Sequence, residues 1–155
     1  ISITIDKFAR GLSGKLKSGD VVSVIAPDYL GSRETVIPQE LQYVEVIAVT
    51  AKSGYDANLE NGEDTEEKEL PSTVTLLVRP EQAKILAQLE AEGDIHLSLV
   101  YRGTTENAAK FIAAQDTILD EIKAAEEAES EEGSMEDEEE AEQENSDPEE
   151  MSEEE

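Results

Sequence analysis

The sequence predicts a β-rich α+β fold: about five strands forming a compact sheet or small barrel, one short crossover helix, a longer C-terminal helix and a disordered acidic tail. Three observations predict it. Apolar and polar residues alternate with a period of two in several segments up to Tyr101. One segment among them, from Pro80, switches to helical spacing. Beyond Thr105 the spacing is helical again, and from about Glu129 apolar residues nearly vanish. The expected division is a β-rich domain at 1–104, an amphipathic helix at 105–128 and the acidic tail at 129–155.

The elements follow in order. Ile1, Ile3 and Ile5 alternate with Ser2, Thr4 and Asp6, the pattern of a half-buried strand. The next stretch, KFARGLSGKLKSGD, carries Gly11, Gly14 and Gly19 and predicts a loop with tight turns, closed by Ser18-Gly19-Asp20. That turn sets strand register; the alternative is a loop that contacts a partner, and turn residues are needed either way. DVVSVIA is the second strand, ended by Pro27. A polar loop follows to Pro38, with a short edge strand around Thr35–Ile37. In QYVEVIAVTA, Val44, Val46 and Ala48 oppose Tyr43, Ile47 and Val49, so both faces are largely apolar, as in a central covered strand.

Ser72 to Tyr101 reads strand, helix, strand. Val74, Leu76 and Val78 share one strand face. Pro80 suits the first helical position, where its missing N–H is not needed. Ile85, Leu86 and Leu89, backed by Ala83 and Ala87, form the apolar face, and Glu81, Lys84, Gln88 and Glu92 the wet one. Gly93 stands where a left-handed C-cap belongs. Ile95, Leu97, Leu99 and Tyr101 then line one side of a last strand. In the following helix, capped by Thr104 or Thr105, the stripe is Ala108, Phe111, Ile112, Ile118, Leu119 and Ile122, interrupted by Gln115. The stripe packs back on the sheet in the favoured reading; otherwise it docks on a partner or a second copy.

Composition narrows the function. At 155 residues the chain suits one domain. The formal net charge is −27. Residues 126–155 hold 18 acids and no Lys or Arg, leaving 21 acids and all 12 bases, a net of −9, in residues 1–125. The linear sequence shows no Lys/Arg cluster of the kind phosphate contacts require, which argues against nucleic-acid binding. An anionic membrane surface would repel the tail. The tail's role is solubility, or an electrostatic lure for a basic partner. With no cysteine there are no disulfides or thiolate metal sites. No run of apolar residues is long enough to span a membrane. The sequence starts inside a strand pattern without Met, so any export signal or anchor is expected upstream of Ile1.

No catalytic, cofactor-binding or metal-binding residues are assigned. His96 has no second His and no Cys partner. Ser13, Ser18 and Ser23 lie near lysines but lack a nucleophile motif. GLSGKLKSG lacks the spacing of a phosphate-binding loop. Asp56, Asn58, Glu60, Asn61, Gly62 and Glu67 brush against a calcium-loop pattern, but the glycine is one place late and the flanks are strands. The plainer reading of residues 52–71 is a solvated hairpin loop. No cofactor is expected, and the chain reads as a non-enzyme; a small hydrolase or lyase is kept only as a formal alternative.

The segment TVTLLVRPEQAKILAQLEAEGDIHLSLVYRG resembles the closing segment of the Flp (Tad) pilus assembly family of the CpaB/RcpC type. The front of the chain resembles it too. In GLSGKLKSGDVVSV, Gly14, Gly19, Asp20, Val22 and Val24 match the family's pattern, while Ser18 replaces the usual Pro and Ser23 the usual second Asp. The resemblance covers about residues 1–102 and includes no catalytic signature. It implies a non-catalytic assembly or scaffolding component of the Flp type IV pilus machinery. Such a protein would act by protein–protein binding outside the cytoplasmic membrane, in the periplasm or at the cell surface. An N-terminal membrane helix and an SAF-type (β-clip) module would precede Ile1. Implied partners are pilus-machine proteins, a secretin or inner-membrane components, with self-association as a further option and no nucleic acid. The alternative is an SAF/β-clip-like glycan- or peptidoglycan-binding module, for which Tyr29, Tyr43, Tyr55 and Tyr101 are the candidate aromatics.

Overall fold

The structure is a computed structural model that describes residues 1–5, 7–51, 54, 71–92 and 95–144. The chain divides into two units, Ile1–Leu119 and Asp120–Glu155. In the first, five strands form one antiparallel sheet: β1 (Ser2–Thr4), β2 (Val21–Ile25), β3 (Val44–Ala51), β4 (Pro71–Leu77) and β5 (His96–Tyr101), in the order β1-β4-β3-β2-β5. Helix α1 (Pro80–Glu92) connects β4 to β5, and α2 (Thr105–Glu144) follows β5. This is the α+β architecture expected. The edge strand expected near Thr35–Ile37 is a single bridge, in which Val36 and Ala26 exchange backbone hydrogen bonds of 2.9 and 3.1 Å.

The inner face carries the core. Ile3, Val22, Val24, Val44, Val46, Val74 and Leu76 are fully buried, joined by Leu86 and Leu89 of α1 and by Leu97. The sheet edges are guarded, as edges must be to avoid pairing with other chains. On β1, Thr4 N donates to Glu90 Oε1 of α1 at 2.9 Å. The segment Phe8–Gly14 packs against β5.

Two register shifts overturn details of the alternation. The expected pattern sets Ile47 and Val49 on one face of β3, opposite Val46. A bulge between Val46 and Ala48 puts one extra residue there. Beyond it the parity reverses: Val49 is buried with Val44 and Val46, and Ile47 is 44% exposed, so β3 is not covered on both sides along its length. Likewise Tyr101 is expected beside Leu99. The shift in the β2–β5 pairing sets Leu99 opposite Val22 but Tyr101 opposite Val21, so Tyr101 turns to the outer face.

Tyr101 there stacks on Phe111 of α2, with ring centroids 5.3 Å apart, and Tyr43 meets the same ring at 5.5 Å. Ala108, Gln115 and Leu119 are buried, so the start of the α2 stripe packs back on the folded body. Thr104 begins α2, its Oγ1 accepting from Asn107 N at 3.4 Å. Helical backbone continues to Glu144, past the residue 129 at which composition predicts the acidic tail to begin. Ala and Glu are strong helix formers, which accounts for helical backbone in so charged a segment. Within it Lys123 and Glu127 pair at 3.8 Å. Residues 145–155 of the expected tail lie outside the described residues, as does the Gly93 cap.

Candidate functional site

The loop joining β1 to β2 is built from backbone geometry that few residues tolerate. Leu12, Ser13 and Gly14 all have positive φ, at 51°, 52° and 71°. Left-handed backbone is disfavoured for residues with a Cβ, so Leu12 and Ser13 in succession, followed by Gly14, mark a turn held from outside. Beyond it the chain reaches Ser18-Gly19-Asp20, where Gly19 has φ 85°.

Asp20 holds this loop. Its side chain is 1% exposed. Arg102, just past β5, donates from Nε to Oδ1 at 2.7 Å and from Nη2 to Oδ2 at 2.6 Å. Lys17 N also donates to Oδ2, at 2.7 Å, and Arg102 Nη2 reaches Lys15 O at 2.6 Å. The bidentate pairing and the neighbouring carboxylate raise the Arg102 pKa above its ordinary value. Asp20 O and Gly19 N complete the turn by pairing with Val46 N and O at 2.9 and 2.8 Å. The turn therefore sets strand register, and Lys7, Ser13, Lys15, Lys17 and Ser18 are left exposed around it.

A second polar junction lies at the turn Gln39–Leu41. Gln82 of α1 donates from Nε2 to Glu40 O at 2.7 Å and accepts from Arg79 N at 2.8 Å. Gln115 of α2 donates to Gln39 O at 2.9 Å and accepts from Tyr43 N at 2.8 Å. Ser23 Oγ donates to Gln42 O at 2.5 Å. Burying an amide without partners is costly, and here every named amide group is matched by backbone. The interruption of the α2 stripe by Gln115 is thus a backbone contact.

The residues singled out from sequence fall apart in space. Ser23 is committed to Gln42 O, while Ser13 and Ser18 are exposed in the loop. His96 is half-buried opposite Ile25. Tyr43 and Tyr101 are engaged with Phe111, and Tyr29 is partly buried against the core, where burial and then Glu40 raise its pKa. Tyr55 and the calcium-like loop from Asp56 to Glu67 lie outside the described residues. Among the described residues no group of three His, Cys, Asp or Glu side chains could hold a metal, and no helix is long and apolar enough to cross a membrane. Sequence reasoning missed Gln82, Gln115 and Arg102; for Arg102 the available signal was its place at the end of the family-like segment.

Such a fold defines an α+β module whose buried polar groups hold a loop and two helices in place. Residues 1–100 match the Flp pilus assembly protein RcpC/CpaB family, and the chain belongs to that family. Its role therefore lies in Flp pilus assembly. No curated protein and no solved structure matches the chain.

Proposed function

We propose that the chain is a non-catalytic scaffolding component of the Flp pilus machinery, acting by protein–protein binding outside the cytoplasmic membrane. Family membership supports the setting. The observation that carries the binding role is the exposed 7–19 loop, shaped by left-handed backbone and anchored by the Asp20–Arg102 pair. Rigid placement of an exposed loop lowers the ordering cost of binding. In this reading residues 1–104 are the binding module, 105–128 an amphipathic helix and 129–155 an acidic extension. The module is held at the membrane by a segment preceding Ile1, and its partners are other pilus-machine proteins, a secretin among them where an outer membrane exists.

The 155 residues contain no cysteine, and any cysteine elsewhere in the parent protein is first replaced by Ser. Ser18→Cys in the parent protein places one thiol on the exposed loop. A membrane-impermeant maleimide should label it in intact spheroplasts. A bifunctional reagent at the same thiol should capture a pilus component. Labelling only after lysis overturns the location, and capture of no pilus component overturns the binding role.

A further inference from the structure

We infer that the β1–β2 loop is a basic docking surface for the acidic segment, residues 126–155, of a second copy of this chain. Lys7, Lys15 and Lys17 stand exposed on this loop while Arg10 is buried, and no acid occurs from Lys7 to Gly19. The fold adds Arg102, which the sequence places 82 positions from Asp20, to the same loop through Lys15 O and Asp20. The sequence alone does not show that Arg102 joins them.

The charges there are not equivalent. Asp20 is matched to Arg102 and to Lys17 N. The ammonium groups of Lys7, Lys15 and Lys17 are exposed and have no ion-pair partner among the described residues. Three exposed cations on one loop, in a chain of net charge −27, offer a complementary surface to an acidic segment. The 18 acids and no bases of residues 126–155 are the densest one the chain carries.

The like net charge of two copies does not prevent this contact. At physiological salt, charges beyond about 8 Å are screened, so local complementarity decides. The loop and the acidic segment are different surfaces, so the contact is head-to-tail and can propagate from copy to copy. Each exposed pair is weak alone. The association gains strength where copies are already held side by side. The inference stands whichever pilus component the module meets.

Sedimentation velocity on the full chain tests it, at about 0.15 M salt, where screening acts over about 8 Å, and about 1 M, where it acts over about 3 Å. The expected result is concentration-dependent assembly at low salt that dissolves at high salt. A labelled peptide of residues 126–155 should bind the full chain and compete with assembly. Lys7→Glu, Lys15→Glu and Lys17→Glu together should weaken both by at least about tenfold. The three side chains are exposed, and Lys→Gln at the same positions separates lost attraction from added repulsion. A chain that stays monomeric throughout overturns the inference. So does peptide binding that the three substitutions leave unchanged, or assembly that survives high salt.

Discussion

Arg102 grips Asp20 with both ends of its guanidinium fork across 82 residues of sequence. The contact ties the turn before β2 to the chain leaving β5. Asp20 is buried, while the Arg102 side chain is 41% exposed. Removing Arg102 leaves a buried carboxylate with Lys17 N and no cation. Arg102→Ala should destabilise by about 2–3 kcal/mol, below the full range for a buried pair because Arg102 is partly solvated. Arg102→Lys should recover only part, since an ammonium cannot form the fork. Urea unfolding of the three proteins measures both effects, and an unchanged midpoint for Arg102→Ala would show that the pair contributes nothing.

Gln115 sits in an otherwise apolar stripe, and replacing it with Leu looks favourable from sequence. The structure predicts the reverse. Gln115→Leu leaves Tyr43 N and Gln39 O without their partner, at about 1–3 kcal/mol. Gln115→Glu keeps the acceptor for Tyr43 N and loses the donor to Gln39 O. Both variants should lower the thermal midpoint. A gain in stability for Gln115→Leu would refute the assignment.

Gly103 is needed for space. A Cβ there would lie 2.3 Å from Tyr101 Oη and 2.7 Å from Cζ. Gly103→Ala must push the ring from Phe111 and break the 3.1 Å bond from Thr104 N to Tyr101 Oη. The expected loss is about 1–2 kcal/mol. In Tyr101→Ala the same Gly103→Ala change should be nearly silent. A double-mutant cycle reads this coupling directly, and additive losses would remove the steric explanation.

Tyr29 provides a pH prediction. Burial, then the negative charge of Glu40, raises its pKa above 10.0. The folded state therefore holds this proton more tightly than the unfolded state does. Its contribution is fully present below pH 10.0 and is lost as pH rises through the higher folded value. Ultraviolet titration should show a late-ionising phase, and Tyr29→Phe should remove it. Retention of the late phase in Tyr29→Phe would assign it elsewhere.

Ser13 holds an unfavourable left-handed conformation on an exposed loop. Ser13→Gly should be neutral or stabilising by up to about 1 kcal/mol, relief of strain being partly offset by the freer unfolded chain. Ser13→Pro, whose ring forces φ near −65°, should unfold the loop. Proteolysis within residues 7–19 reports the difference, and equal protection of the two variants would contradict the strain argument.

The sequence by itself determined what depends on near neighbours. Period-two and helical spacing place the strands, α1 and the start of α2 because side-chain direction repeats along the chain. Pro80 and Gly19 punctuate it through their backbone chemistry and Thr104 through its side-chain hydroxyl. The family-like segments are contiguous, so membership was legible as well. Only the tertiary structure decided the rest. The bulges near Ile47 and Val100 reverse side-chain parity, and a one-residue shift leaves no mark in local composition. Gln82 and Gln115 read as an ordinary polar residue and an interruption until the turn Gln39–Leu41 is set between them. Arg102 joins the basic loop because strand order brings β5 beside β2. Pairings between residues far apart in sequence are set by the free energy of the whole assembled core, and no local pattern encodes them.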